Sequence, residues 1–335
     1  MKPGVTAAIV IGILVLIIAI VVPIVLLTGG RKDPTIVFGV SPNAVLVSKD
    51  NAKTTMEPTK KPFDNSYINC IIYNGSLFYA VNGNSVSTSA DGMTWSTPTS
   101  FADNLFMYYV GSAGPGKRLL AGGTNGPPGD SVILYSDDDG LTWTKSKLDV
   151  ASRNFVNFTY AGNGTWWAFN GGILKSTDNG STWSTITTQS LSDQRYVTKV
   201  IVHNSSVFAL RSSMFSPSRI FLVDGVNLKL KYEYVNSSKD TIEDMATNNA
   251  VILCITKQLR ILRYDGNSWT VLPPFDVSFK VDSTFITWTG VQFIVLLKTF
   301  HWVSPTNTQV YTSRDGLEWT RGLSSDKVFL AVAEK

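Results

Sequence analysis

Ser176-Thr177-Asp178-Asn179-Gly180-Ser181-Thr182-Trp183 and Ser136-Asp137-Asp138-Asp139-Gly140-Leu141-Thr142-Trp143 are one pattern, S-x-D-x-G-x-T-W, written twice in a chain of 335 residues. Each residue type in it suits a tight turn. A hydroxyl and a carboxylate hold backbone amides, glycine supplies a positive φ, and an aromatic ring is buried at the exit. Ser89-Ala90-Asp91-Gly92-Met93-Thr94-Trp95 and Ser313-Arg314-Asp315-Gly316-Leu317-Glu318-Trp319 are the same unit shortened by one residue. Three weaker copies fill the gaps: Asp265-Gly266-Asn267-Ser268-Trp269, Asp224-Gly225-Val226-Asn227-Leu228, and Ser48-Lys49-Asp50-Asn51-Ala52-Lys53-Thr54.

The copies end at positions 54, 95, 143, 183, 228, 269 and 319, with spacings of 41, 48, 40, 45, 41 and 50, the period of a four-stranded blade. Between them lie short β-rich runs parted by Asn-Gly turns, as at 68–73, Asn74-Gly75 and 77–80, or 155–160, Asn163-Gly164 and 166–169. No stretch after residue 34 carries a sustained helical period. The expectation is an all-β, seven-bladed β-propeller of four-stranded blades over residues 35–335. Segments 35–40 and 44–48 read as strands two and three of a blade whose first strand is 328–333, so the two chain ends zip together and remove open edges.

These units resemble the Asp-box (BNR) repeat found in sialidases, sortilin-type receptor propellers and photosystem II assembly-factor propellers. The resemblance implies a structural turn between the third and fourth strands of a blade. It makes Asp50, Asp91, Asp138, Asp178, Asp224, Asp265 and Asp315 turn residues, with Trp95, Trp143, Trp183, Trp269 and Trp319 packing between blades.

The amino end is of another kind. From Val5 to Thr28 no residue is charged, about the ~20 residues that cross a bilayer, and the run exceeds a signal-peptide core and lacks a small-residue cleavage site. The expected organisation is a tail at 1–4, a single transmembrane anchor at 5–28, a linker at 29–34 and the propeller. Lys2 on one side and Arg31 and Lys32 on the other leave orientation open. Sequons at Asn74, Asn157, Asn163, Asn179, Asn204 and Asn236 place the propeller in an exoplasmic or lumenal compartment as candidate glycosylation sites. Three of them are Asn-Gly pairs that serve equally as hairpin turns.

The chemistry legible in the chain is sparse. Lys2, Arg31 and Lys32 are three of the 29 basic residues, which leaves 26 against 25 acidic residues from Asp33 onward and gives no electrostatic footprint for nucleic acid. His203 and His301 are the only histidines, no His/Cys cluster has metal-ligand spacing, and no cofactor is expected. Cys70 and Cys254 fall in separate blades, too far apart to bridge, and read as buried thiols. Sialidase resemblance implies an arginine clamp and a Tyr-Glu pair, and neither stands out among the arginines and five glutamates. Asp137-Asp138-Asp139 belongs to a box turn, and Glu243-Asp244 reads as capping or flanking a strand.

The long intervals place extra residues at 122–130, 212–218 and 301–308, between strands two and three and on the face opposite the boxes. These loops carry the candidate binding residues Met214, Phe215, Arg219, His301 and Trp302. The reading that follows is a membrane-anchored, non-catalytic recognition or assembly scaffold presenting a propeller face to a protein or glycan. Two alternatives fit the same residues: a glycan-binding or sialidase-like protein with a degenerate site, and a structural membrane protein of a virion or organelle particle.

Overall fold

Every regular element among the described residues is a strand, as the β-branched and aromatic runs between the turn motifs require. The computed structural model describes residues 34–41, 44–64, 67–101, 105–114, 116–126, 129–149, 157–169, 172–186, 197–213, 216–225, 227–235, 240–299 and 307–335. The expected anchor 5–28, its flanks up to residue 33, and Met214, Phe215, Asn236, His301 and Trp302 lie outside them.

The strands sort into seven sheets. In blade 2, Cys70–Tyr73, Phe78–Val81, Ser85–Ser89 and Thr99–Ser100 pair in order, each antiparallel to the last. Blades 3, 5, 6 and 7 repeat that order outward from Leu105–Ser112, Val197–His203, Ile242–Thr247 and Ser283–Trp288. Blade 4 starts at Asn157–Gly162 and gains a fifth strand, Lys147–Leu148, which runs parallel to its outer strand Thr182–Thr185.

Closure follows the expected scheme. Val328–Glu334 pairs with Ile36–Ser41, which pairs with Ala44–Ser48, so the carboxyl end supplies the inner strand of blade 1. Thr35 and Lys335 exchange backbone hydrogen bonds of 3.2 and 2.9 Å at the seam. Buried Glu334 accepts from Thr289 and, at 3.0 Å, from Gln292 of blade 7, and Gln292 also donates to Asn51 of blade 1 at 2.7 Å. The fourth strand of blade 1 shrinks to one bridge, Met56 to Val47. Pro58 and Pro62 follow it and cannot donate to a ladder.

The boxes form the expected turns in four blades. Ser89, Ser136, Ser176 and Ser313 donate to Asp91, Asp138, Asp178 and Asp315 at 2.7–3.1 Å. The same hydroxyls accept the amides of Gly92, Gly140, Gly180 and Gly316 at 2.8–2.9 Å. Blade 1 builds this turn with Ala52 at φ +61° in the glycine's place. The two weakest copies differ. Asp265 holds the amides of Asn267 and Ser268, both at 2.9 Å, without a serine partner. Asp224 instead pairs with Lys229 in a plain two-residue hairpin. Trp269 stacks between Tyr232 and Tyr264, with centroids 4.5 and 5.0 Å away.

The long intervals also resolve differently from expectation. Residues 122–125 belong to the strand Leu119–Asn125, and Ser212, Ser213, Ser216 and Ser218 to the strands Ser206–Ser213 and Ser216–Asp224. The extra chain in blades 3 and 5 mainly lengthens strands, because a hairpin can extend its ladder without a new loop.

Gly180 shows why the box dictates the ring. It has φ +85°, and a Cβ there would stand 2.6 Å from Leu120 on the second strand of the preceding blade. Gly180→Ala should therefore cost about 2–4 kcal/mol, combining backbone strain with overpacking. Gly225→Ala, at φ +62° with nothing within 4 Å of its Cβ, should cost about 1 kcal/mol. Urea midpoints of the two variants check the difference.

Candidate functional site

The innermost strands of the blades surround an axial opening. Period-two alternation sends some of their side chains between blades and others toward the axis. A cavity of about 330 Å³ is lined from six blades, with Cys70, Tyr109, Asn157, Lys199, Trp288 and Glu334 each from a different one. A second, of about 340 Å³, shares Phe158, Lys199, Thr287 and Trp288 with it, so the two are adjoining stretches of one opening.

Lys199 is the cation common to both. Its Nζ lies 3.0 Å from Asp244 Oδ1 and 5.6 Å from the Phe285 ring centroid. Asp244 Oδ2 accepts the Ile286 amide at 3.1 Å, and Glu243 accepts both the amide and the hydroxyl of Thr284 at 3.0 and 3.1 Å. Glu243-Asp244 thus lies inside the strand Ile242–Thr247 rather than at its flank, and ties blades 5, 6 and 7 together. A register shift between Ile242 and Asp244 lets neighbouring carboxylates both reach blade 7. Similar shifts precede Lys199 and Tyr109 on their strands, so three inner strands are re-aimed where their polar side chains meet the axis.

Burial sets the protonation of the groups nearby. It pushes the Cys70 thiol up, against the pull of Lys199, which is the opposite of an activated thiolate. It raises the Tyr109 hydroxyl too, aided by Cys70 and Asp244, and lowers the Lys298 ammonium against the pull of Asp244 and Glu243. At neutral pH the opening therefore offers a phenol, carboxamides, an ion-paired ammonium and aromatic faces. No arginine lines either cavity among the described residues. Both cysteines are free, Cys254 fully buried and Cys70 partly so.

Of the residues singled out in the sequence, Cys70 and Asn157 line the opening, and most of the others fall elsewhere. The box aspartates occupy separate turns, and no group of three or more His, Cys, Asp or Glu among the described residues is placed to hold a metal. Arg219 pairs with Glu233 at 2.8 Å on the outer strands of blade 5. His203 is a packing residue, 4% exposed, with Nδ1 2.8 Å from the Thr247 hydroxyl. Among the sequons, Asn74 is buried and holds Tyr79 through its amide nitrogen at 3.2 Å, while Asn157 lines the cavity. Asn179 accepts the Trp166 indole at 3.1 Å, and Asn163 and Asn204 are exposed. Tyr109 and Lys199 went unmarked in the sequence, and Asp244 was read there only as part of a pair flanking a strand, because no motif announces a bulge and only closure brings the inner strands together.

A closed ring of seven sheets around an axial opening defines the chain as a seven-bladed β-propeller. No protein-family profile matches it, and no curated protein does. Solved structures do match. Ycf48 bound to a D1 peptide is 15% identical, with a TM-score of 0.53 over 87% of this chain and 86% of that one. Ycf48 from Cyanidioschyzon merolae is 14% identical, with a TM-score of 0.55 over 79% and 93%. The computationally designed protein Ika8 is 10% identical, with a TM-score of 0.55 over 88% and 85%. Identities this low establish the shared fold and nothing further.

Two groups give stability a defined response to acid. His203 is held below its usual 6.5 by burial, so the unfolded chain takes up that proton first and stability falls as pH drops below about 6.5. Asp138 is held down at about 2 by Thr142 and Ser136, so its contribution is complete above 3.8 and is lost between there and about pH 2. In urea titrations across pH, His203→Gln should flatten the first fall and Asp138→Asn should make the second shallower, since Asp50, Asp91, Asp178 and Asp315 are held down in the same way.

Proposed function

We propose that the chain is a membrane-tethered, non-catalytic scaffold of Asp-box ancestry, whose axial opening receives a segment of a partner protein on the exoplasmic or lumenal side. The observation that carries this reading is the opening itself. It is lined from six blades with hydrogen-bonding groups and aromatic faces, and the ion pair of its lysine, Lys199 with Asp244, is internal to the ring. A peptide brings carbonyls and amides that such a mixed wall can satisfy. The raised thiol of Cys70 and the separation of the box aspartates also favour binding over catalysis. The peptide held by Ycf48, a ring of the same architecture, adds support by analogy.

The tether rests on the uncharged run 5–28 and the compartment on the sequons. If the compartment is right, Asn163→Gln and Asn204→Gln each remove one glycosidase-sensitive mass step from the full-length protein, and Asn74→Gln removes none. A protease-accessible ring without glycans in sealed membranes would reverse the topology.

For the opening, a photo-crosslinking amino acid placed at position 109 in cells should give a discrete protein adduct. Reversing the charge with Lys199→Glu should reduce that adduct several-fold at unchanged expression. An adduct absent in both, or equal in both, would remove the opening as the binding site.

A further inference from the structure

The two chain ends meet at one buried carboxyl. Glu334 lies in the last strand, opposite Ile36, and is 1% exposed. Beside it Thr35 and Lys335 exchange the backbone hydrogen bonds that end the seam. Its hydrogen-bond partners among the described residues both come from one turn of blade 7, the Thr289 hydroxyl at Oε2 and the Gln292 side-chain amide at Oε1, the latter 3.0 Å away. Gln292 also donates to Asn51 of blade 1 at 2.7 Å, so a single carboxyl joins the terminal strand to blades 7 and 1.

Other buried acids are held by more. Asp244 has the Lys199 ammonium at 3.0 Å and the Met245 and Ile286 amides at 2.9 and 3.1 Å. Asp240 accepts from the Tyr234 and Thr256 hydroxyls and the Gln258 amide. Glu334 has neutral donors alone, and among the described residues no cation pairs with it. A carboxylate with neither a cation nor a full set of donors is costly to bury. The surrounding charges do not alter this. Arg314, in the box of blade 7, is exposed and attracts Glu334 without an ion pair. Lys335 gives its ammonium to the Ala90 carbonyl, Lys199 across the opening is paired with Asp244, and Asp50 beside Asn51 is turned to Thr54. Cys70 and Tyr73, which share the cavity wall with Glu334, are kept neutral by burial.

We propose that Glu334 is an acid-tightened clasp: a proton on its carboxyl locks the terminal strand into the ring, and losing that proton at higher pH loosens the seam. With the proton on Oε2, Glu334 donates to Thr289. The Thr289 hydroxyl then turns its own hydrogen to the Gln292 carbonyl 3.0 Å away, while Oε1 still accepts from the Gln292 side chain. No partner is lost, and the buried negative charge is gone. Burial raises this carboxyl above its usual 4.5, against the pull of Thr289, Gln292 and Arg314. The folded chain therefore takes the proton more readily than the unfolded one. Seam stability grows as pH falls from the raised value toward 4.5, and is lost again as pH rises. His203 in blade 5 acts in the opposite sense, so only a local measurement separates the two. The clasp is independent of what fills the axial opening, and either reading can fail without the other.

The test is amide hydrogen exchange on the full-length protein in detergent micelles, read as protection relative to the unfolded chain at the Thr35 and Lys335 amides. The strand Leu119–Asn125 of blade 3 is the internal reference. The ratio of seam to reference protection should rise several-fold from about pH 8 to about pH 5. Glu334→Gln carries a carboxamide that can donate to Thr289 and accept from Gln292 as the protonated acid does. It should hold the acid-level ratio at both pH values. A ratio that does not change with pH in the unmutated protein overturns the proposal. So does one that still changes in Glu334→Gln, or a Glu334→Gln seam that is loose throughout. If that variant does not fold, carboxyl-carbon NMR of Glu334 in the unmutated protein decides: titration above the usual 4.5 upholds the clasp, and titration at or below it overturns the clasp.

Discussion

Three box glycines lie where their turn packs directly against the preceding blade, and that contact constrains the ring. At Gly92, Gly180 and Gly316 a Cβ would stand 2.6 Å from Val37, Leu120 and Leu253, each on the second strand of the preceding blade. The Ser-Asp hydrogen bonds hold the turn in the one shape that lets its backbone lie against that side chain. Arg118 reinforces the blade 3 to blade 4 joint, pairing with Asp137 at 2.6 Å and donating to the Asn179 carbonyl and the Ser181 hydroxyl at 3.2 and 2.7 Å. A repeated turn is thus also a spacer at three of the joints between blades, those at Gly92, Gly180 and Gly316.

Closure and edge protection complete the architecture. The seam is latched at Glu334, Gln292 and Asn51, and Lys335 reaches on to the Ala90 carbonyl in the box of blade 2 at 2.9 Å. Outer edges are handled blade by blade. Blade 4 is covered by a parallel strand, and blades 2 and 3 end in two-residue strands. The long outer strand Asn227–Tyr234 of blade 5 carries a register shift and alternates Lys229 and Lys231 with its apolar residues, which discourages edge pairing. The flank of blades 6 and 7 is the exception, where apolar and aromatic residues stay partly open around one unpaired donor.

Much of this was legible in the residues and some was not. Box spacing predicted the blade count, and the orphan strands at 35–48 and 328–333 predicted closure, because both depend on local turn chemistry and period-two patterning. The fourth strand of blade 1 was lost to Pro58 and Pro62, whose effect on a ladder can be read directly. The weak copies at Asp224 and Asp265 kept the right period but became hairpins with different contacts, since position in a repeat does not guarantee a serine partner. The expected long loops of blades 3 and 5 became longer strands, because interval length alone cannot separate a loop from an extended ladder.

The sequence by itself determined the repeating turn, the all-β class, the seven-fold count and the meeting of the ends, since each follows from interactions a few residues long repeated at a fixed interval. Only the tertiary structure decided what faces the axis and what faces the flank. Lys199 and Asp244 are far apart along the chain and meet across neighbouring inner strands, each beside a register shift in its own strand. Trp319 reads like Trp95, Trp143 and Trp183 in its motif. Its indole is left without the glycine acceptor where Phe275, from the end of another blade, packs edge-on against it. Contacts between blades join residues that no local pattern links, so they become visible only when the ring is closed.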